Sequence, residues 1–394
     1  MRTTLSLLGV TIGIFAIIAV FTVVDSLERS IKDSFSFLGA NILYVEKWPY
    51  GLGGEYPWWK YMKRPPVDVS EFEFLNEHVT YMKSSTIYAT RGGSLIKYEN
   101  SSINNVSLCG ATYGYNDVFD LDIVQGRFFT QQEADGARNV AVIGADIVAA
   151  LFPLTDPIGK EIKIRGLKYV VIGTIKKEGE SMLGFSSNDK ACYVPYKSFQ
   201  KLYYTGGMFG INPSIAIKGL EEDAGLAELE SQVTGLMRAK RGLKPLEEDS
   251  FALNRPESIT NFLTEIFKVI SLAGWVIGGF SILVGGFGIA NIMFVSVKER
   301  TNLIGIQKSI GAKNYFILLQ FLFESVFLSV IGGGVGIFLV YLLTFIPLGT
   351  FVIVLTAKNI LIGLGVASIV GTVAGIVPAA IASKMDPVTA IRTS

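Results

Sequence analysis

One histidine, two cysteines and one carboxylate lodged in an apolar run are the residues here whose chemistry first needs an account. His78, within "NEHVT", is the single histidine. Neither a metal cluster nor a Ser–His–Asp arrangement is readily built around one imidazole, so a surface position is expected. Cys109 and Cys192 are the only thiols; a disulfide between them is one reading, two buried free thiols the other. Glu324 lies about nine residues into a long apolar run, roughly 13 Å from its start as a helix. A carboxylate at the bilayer centre costs about 3 kcal/mol and so should face protein or water. A proton relay usually needs a second such group, and no other apolar run supplies one, which favours a structural hydrogen-bonding role. The pattern G-x-x-x-x-G-K-[ST] does not occur, and "DPIGKE" lacks its spacing, so ATP is not held through a P-loop. With no catalytic constellation in view, neither a cofactor nor a metal is expected on this chain.

The elements that carry these residues are largely apolar. Half of the 394 residues are hydrophobic, mean hydropathy is +0.43 and 18% are charged, against roughly a quarter in a soluble domain. A net charge of +1 gives no case for nucleic acid. Four runs decide the class: Leu5 to Val24, Val269 to Val297, Tyr315 to Ala357 and Ile360 to Ser383. About 20 apolar residues cross a hydrocarbon core of roughly 30 Å as a helix. The third run is too long for one span. Pro347 and Gly349 break it, so its helix is expected to end near Phe345, leaving Ile346 to Ala357 as an external loop or a shallow re-entrant piece. A fifth helix is the competing reading. The first run exceeds the roughly 7–15 apolar residues of a signal peptide and no A-x-A pattern follows, so an uncleaved anchor is expected.

Lys298, Arg300, Lys308 and Lys313 stand against one carboxylate, Glu299, in the loop after the second run. Lys384 and Arg392 stand against Asp386 in the tail, and Arg2 marks the start. Basic residues beside spans favour the cytoplasm, and four spans place all three regions there. The expected layout has transmembrane helices at 1–24, 268–297, 315–345 and 359–383, and an extracytoplasmic domain over 25–267. A cytoplasmic loop occupies 298–314, an external loop 346–358 and a cytoplasmic tail 384–394.

Within the external segment, Asp25 to Phe37 continues the first span as a polar helix, a stiff stalk, and "NILYVEK" reads as a strand. "NVAVIGADIVAALF" is a buried strand followed by a short helix; "DPIGKEIKIRGLKYVVIGTI" is a turn, a strand, an Arg165–Gly166 turn and a second strand. Glu221 to Lys240 is helical, with Leu226, Leu229, Val233, Leu236 and Met237 on one face, and Ser198 to Ile217 returns to a strand pattern. A mixed α/β domain follows. Trp48, Trp58 and Trp59 crowd one loop with Tyr50, Tyr56 and Tyr61. A partner surface is one reading; a loop folded on its own domain or lying at the lipid interface is the other, and favoured.

In the spans, Gly274 and Gly278, Gly332 and Gly336, and Gly371 and Gly375 recur at four-residue spacing, which allows close helix packing in lipid. No span offers the polar row of an aqueous path. In the loop "KERTNLIGIQKSIGAK", Leu303, Ile306 and Ile310 share one helical face, and Thr301, Gly305 and Lys308 the other. Periodicity alone leaves open a partner-binding helix or one anchored to lipid headgroups.

"GGFGIANIMFVSVKERTNLIGIQKSIGAKNYFILLQFLFES" resembles the membrane core of permeases in the MacB/FtsX/LolC group of ABC transporters, the type VII or mechanotransmission family. "LLGVTIGIFAIIAV", "LGANILYV", "GRFFTQQEADGARNVAVIG", "LFPLTDPIGKEIKI" and "PAAIASKMDPVTAIR" match further pieces in family order, from one end of the chain to the other. The resemblance implies a four-helix permease with a MacB-like periplasmic domain between helices 1 and 2. It also implies a short helix that couples to a cytoplasmic ATPase, with Glu299, Arg300, Leu303, Ile304, Gly305, Ile306, Lys308, Ile310 and Gly311 as coupling residues. ATP and Mg would sit on that separate subunit, so the chain itself would be no enzyme. A second permease copy as a homodimer, a periplasmic adaptor and an outer-membrane channel are the further partners implied, in a bacterial inner membrane. The expected activity is efflux or extrusion of a periplasmic substrate. Alternatives within the family are an FtsX-like regulator of a cell-wall hydrolase and a LolC-like lipoprotein-releasing permease. The chain departs from the family at Asn302–Leu303, where Arg-Glu is common, and at Gln307, where Arg is frequent. The ATPase domain that precedes the permease in MacB is not expected on this chain, and by the resemblance the sequence is expected to begin late, after residues usual before the first span.

Overall fold

The computed structural model describes residues 2–35, 39, 41–51, 56–179, 188–207, 209–346, 351–387 and 390. Pro347, Gly349, Phe37 and Arg392 lie outside the described residues. The chain divides into two compact units, one of Met1–Ser30 with Thr264–Ser394 and one of Ile31–Leu263.

The inserted unit is a mixed sheet with helices on it. Its described elements run β1 (Ile42–Glu46), α2 (Trp58–Met62), α3 (Val69–His78), β2 (Met82–Tyr98), β3 (Ser101–Ala111), α4 (Tyr115–Phe119) and β4 (Ile123–Gly126). There follow α5 (Gln131–Asp135), β5 (Val140–Ile143), α6 (Ala145–Leu151), β6 (Glu161–Ile164), β7 (Leu167–Ile175) and β8 (Ala191–Pro195). The last are α7 (Tyr196–Phe199), β9 (Ser214–Gly219), α8 (Ala227–Lys240) and β10 (Ala252–Asn254). Strand order is β10-β1-β9-β2-β3-β8-β5-β7-β4, with β6 paired to β2 and β7. The β3–β8 and β5–β7 pairs are parallel and the others antiparallel.

Alternation along the strands sorts side chains to two faces. One face carries the larger core, with Leu43, Ile87, Leu108, Cys192 and Ile215, together with Leu75 of α3 and Leu229 and Val233 of α8. The other carries Cys109, Tyr115, Val142 and Tyr193. This alternation excludes the disulfide. Cys109 registers opposite Tyr193, and Cys192 opposite Leu108, so the two thiols, one residue out of step on neighbouring strands, leave the sheet on opposite faces. Both are free and buried.

Helix starts in this unit are locally encoded. Asp68 and Glu71 form a reciprocal capping box on α3, and Thr130 and Glu133 another on α5. The helix expected from Glu221 begins only at Ala227, because Gly225 and Leu226 both take positive φ, 75° and 57°. Of the strand expected over Ser198 to Ile217 only the end forms, as β9; Ser198 and Phe199 belong to α7.

The remaining unit holds four helices long and apolar enough to cross a membrane. They lie in α1 (Arg2–Ser34), α9 (Pro256–Glu299), α11 (Asn314–Leu343) and α12 (Ala357–Lys384), with α10 (Thr301–Ser309) between the second and third. The inserted α/β unit thus falls between the first and second membrane helices. Helix α9 begins at Pro256, well before the expected 268, and the third ends at Leu343, close to the expected Phe345. No fifth helix forms among the described residues of 344–356: Val354 N–H instead donates to Ser26 Oγ of α1 at 2.9 Å.

Candidate functional site

The segment after α9 makes a tight reversal. Arg300 leaves helical geometry at φ −100°, ψ 12°. Thr301 Oγ1 donates back to the carbonyls of Val297 and Lys298 at 3.1 and 2.9 Å. Helix α10 then runs nine residues and closes with a Schellman motif: Ala312 N–H reaches Gln307 O at 3.0 Å, and Gly311 N–H reaches Lys308 O at 3.0 Å. The motif requires a left-handed residue, and Gly311 supplies φ 104°.

The faces of α10 separate as the periodicity implies. Ile304 is 2% exposed and sits in the core of this unit with Ile317, Phe321, Ala379 and Ala382. Gly305 is buried beside it. Leu303, Ile306 and Ile310 are 59%, 43% and 82% exposed. A side chain of Ile304's size, placed in the core, fixes the rotation of the helix and leaves the other three apolar residues facing away from the bundle.

Two polar contacts hold the ends. Arg300 Nη1 donates to Glu324 Oε2 of α11 at 3.1 Å, and Lys308 Nζ donates to Met385 O, just past α12, at 2.7 Å. A cation at a helix C-terminus satisfies carbonyls that have no partner in the helix. Glu324 therefore has the structural partner that its place in the run called for. Arg300 pairs with Glu324 while its side chain stays 46% exposed, and Glu299 is exposed and in no ion pair among the described residues. Of the nine expected coupling residues, Glu299, Arg300, Leu303, Ile306, Ile310 and Gly311 lie on the surface. Ile304 and Gly305 are internal, and Arg300 and Lys308 act as anchors.

The glycine pairs lie at close helix contacts. A Cβ on Gly278 would stand 2.6 Å from Ile17 Cγ1, and one on Gly274 3.0 Å from Val20 Cγ1. On Gly336 it would meet the backbone nitrogen of Phe15 at 3.0 Å; on Gly371, Val326 Cα at 2.8 Å; on Gly375, Ser325 Oγ at 2.0 Å. Gly332 is buried on α11. Sequence reading passed over the serines that complete this packing. Ser325 Oγ donates to Gly371 O at 2.9 Å, and Ser329 Oγ donates to Ala367 O. The signal was present as a serine pair four residues apart on α11, facing the small residues of α12.

In the inserted unit, His78 is exposed, as expected, with its ring tilted against Phe74 at 4.4 Å between centroids. Trp58 and Trp59 are 55% and 60% exposed, while Tyr50 N–H is held by Asn254 Oδ1 and Tyr56 OH by Pro49 O. The aromatic loop therefore folds back at its ends and projects two indoles. Among the described residues no group of three or more metal-ligating side chains forms.

Four membrane helices, a short two-faced helix between the second and third, and an α/β unit inserted after the first describe a multi-pass membrane permease. Residues 3–236 match the MacB-like periplasmic core domain and residues 275–387 the FtsX-like permease C-terminal domain. The chain belongs to the MacB-like family of ABC transporter permeases. It is 31% identical over 401 residues to the macrolide export ATP-binding/permease protein MacB of Bdellovibrio bacteriovorus, covering 99% of this chain and 59% of that protein. It is 29% identical over 396 residues to the pyoverdine export ATP-binding/permease protein PvdT of Pseudomonas aeruginosa, covering 100% and 56%. The chain thus spans less than three fifths of the length of these relatives. The crystal structure of the periplasmic region of MacB from Actinobacillus actinomycetemcomitans aligns with 57% of this chain and 94% of that one, at 21% identity and a TM-score of 0.45.

Proposed function

We propose that this chain is the permease of an ABC exporter in a bacterial inner membrane, with both termini and α10 in the cytoplasm and the inserted unit in the periplasm. ATP and Mg are bound and used by a separate ATPase subunit, which docks on Leu303, Ile306 and Ile310. The division of α10 carries this reading: one face is tied into the bundle while the other exposes three apolar side chains. A load applied to the exposed face passes through Ile304, Arg300 and Lys308 into α11 and the end of α12. Helices α1 and α9 each hold residues of both units, which gives movement of the bundle a continuous backbone route to the periplasmic unit. The substrate is then pushed or released in the periplasm and never crosses the lipid. The working assembly is two permease copies with two ATPases, completed by a periplasmic adaptor and an outer-membrane channel. The relatives, named as exporters of macrolides and of pyoverdine, support export as the class of activity.

The test replaces one exposed residue. In the permease reconstituted with its ATPase, Ile306→Glu should abolish permease stimulation of ATP hydrolysis while circular dichroism and detergent extraction stay as in the parent. The permease alone should hydrolyse no ATP. Unchanged stimulation in the variant would end the coupling role of this face.

A further inference from the structure

The proposed exporter leaves one built feature of the inserted unit unexplained. On the sheet face opposite the larger core lies a cavity of about 440 Å³. Four tyrosines line it: Tyr44 from β1, Tyr88 from β2, Tyr115 from α4 and Tyr193 from β8, with Phe119 beside them. The rings meet at steep angles. Tyr88 is edge-on to Tyr115, with centroids 5.5 Å apart, and to Phe119 at 5.8 Å, and Tyr115 lies 5.2 Å from Tyr193 at 49°. The rings form one contiguous aromatic wall, in which Tyr115 also touches Phe119 at 4.4 Å.

Its charge is one-sided. Glu178 is the single charged side chain among the described lining residues. Its carboxylate is fixed by Asn188, whose side-chain Nδ2 donates at 2.7 Å and whose backbone N–H donates at 3.2 Å. Asn188 Oδ1 in turn accepts from Tyr193 OH at 2.5 Å, so the acid is coupled to the aromatic wall. The nearest lysines of the flanking segments, Lys177 and Lys190, lie 4.0 Å from Asp146. Burial raises Tyr88, Tyr115 and Tyr193 well above the usual phenol value, so these rings remain neutral.

We propose that this cavity is a binding site for a small organic cation of the alkylated-ammonium class, held over the tyrosine faces with Glu178 as its counter-charge. Ring faces attract a cation through their quadrupole, and most strongly one that has shed its water. An alkylated ammonium sheds water readily and presents methyl groups to the aromatic walls. A bare metal ion would require several hard oxygen ligands, and the described lining offers a single carboxylate.

The test uses the full chain in detergent and two probes of nearly equal shape, choline and its uncharged carbon analogue 3,3-dimethylbutan-1-ol, followed by titration calorimetry. Choline should bind at least about tenfold more tightly than the neutral analogue. Glu178→Gln, a nearly isosteric change at an exposed position whose fold is checked by circular dichroism, should weaken choline at least threefold and leave the neutral analogue unchanged. Tyr88→Leu should weaken choline about tenfold, with circular dichroism reporting that the sheet is intact. Equal binding of the two probes, no binding of choline at millimolar concentration, or choline binding indifferent to Glu178→Gln would each overturn the proposal. ATPase stimulation through α10 is read in a separate assay, so failure of one idea leaves the other standing.

Discussion

Replacing Gly371 with alanine adds one carbon where α11 and α12 touch. That carbon would lie 2.8 Å from both Val326 Cα and Ser329 Cβ, and 3.0 Å from Ser325 O, whereas such atoms rest about 3.5–4 Å apart. Val326 Cα and Ser325 O are backbone, so no rotamer change relieves the contact, and the helices must separate by roughly 1 Å. Separation stretches the hydrogen bonds from Ser325 to Gly371 O and from Ser329 to Ala367 O, each worth about 0.6 to 1.7 kcal/mol in a membrane protein. Overpacking adds about 1–3 kcal/mol. Gly371→Ala is therefore expected to destabilise the membrane unit by about 2–6 kcal/mol. Gly365→Ala, on the same helix with open space around the new carbon, should be neutral or gain up to about 1 kcal/mol from helix propensity. Equilibrium unfolding of the purified chain in mixed micelles, followed by far-UV circular dichroism, measures both. Equal stability of the two variants would refute the claim that glycine is required here by close approach. For Gly375 the nearest atom is a side chain, Ser325 Oγ, so a Ser325→Ala background should recover part of the loss there but not at Gly371.

Three further outcomes follow from the inserted unit. Arg241 forms a nearly buried ion pair with Glu71, Nε to Oε1 at 2.7 Å and Nη2 to Oε2 at 3.0 Å, and also donates to Ser250 O. Arg241→Ala strands that carboxylate and should cost about 3–5 kcal/mol in denaturant unfolding of the full chain; a loss below 1 kcal/mol would contradict it. Glu133 is held down to about 2 by the Arg127 guanidinium beside it and by Thr130. A depressed acid stabilises the fold above its unfolded value near 4.5 and loses that contribution as pH falls toward 2. Because Arg127 is about half exposed, the contribution should stay near 1 kcal/mol, visible as a shallower acid slope in Glu133→Gln. Burial pushes the Cys109 thiol up to about 12 and raises Cys192 further. Neither thiol should react with maleimide at pH 8 until the chain is unfolded, when two should titrate, with or without prior reductant.

Much of the membrane unit is legible in the sequence because lipid leaves little choice. A run of twenty or more apolar residues must satisfy its backbone within itself, so helix type and approximate ends follow from composition. The start of α9 is the exception, since Pro256 to Phe267 mix polar and charged residues with apolar ones, so the length of the apolar run does not reach them. In the inserted unit the strand–helix grammar of 140–175 is readable, because β5 is a short apolar run, buried throughout, that Gly144 separates from α6. The long β2–β3 hairpin was not, since its outer half alternates weakly and is stabilised by cross-strand pairing through Tyr98 and Ser101. The motif "GRFFTQQEADGARNVAVIG" could be quoted from the chain, but its physical content emerges only in three dimensions: a Thr130–Glu133 capping box locked by Arg127.

The sequence by itself determined the four spans, the charged two-faced helix between the second and third, the lack of a P-loop and the family. Each depends on run length, period or a contiguous motif, which are properties of neighbours along the chain. Tertiary structure alone decided three matters. Cys109 and Cys192 cannot bond, because strand register sends them to opposite faces. Arg300 is an anchor for Glu324 and not a free contact, because the two lie 24 residues apart and meet only when α11 folds back. The tyrosine cavity exists only where β1, β2, α4 and β8 converge. Register, helix rotation and enclosure are relations between distant segments, so no window along the chain contains them.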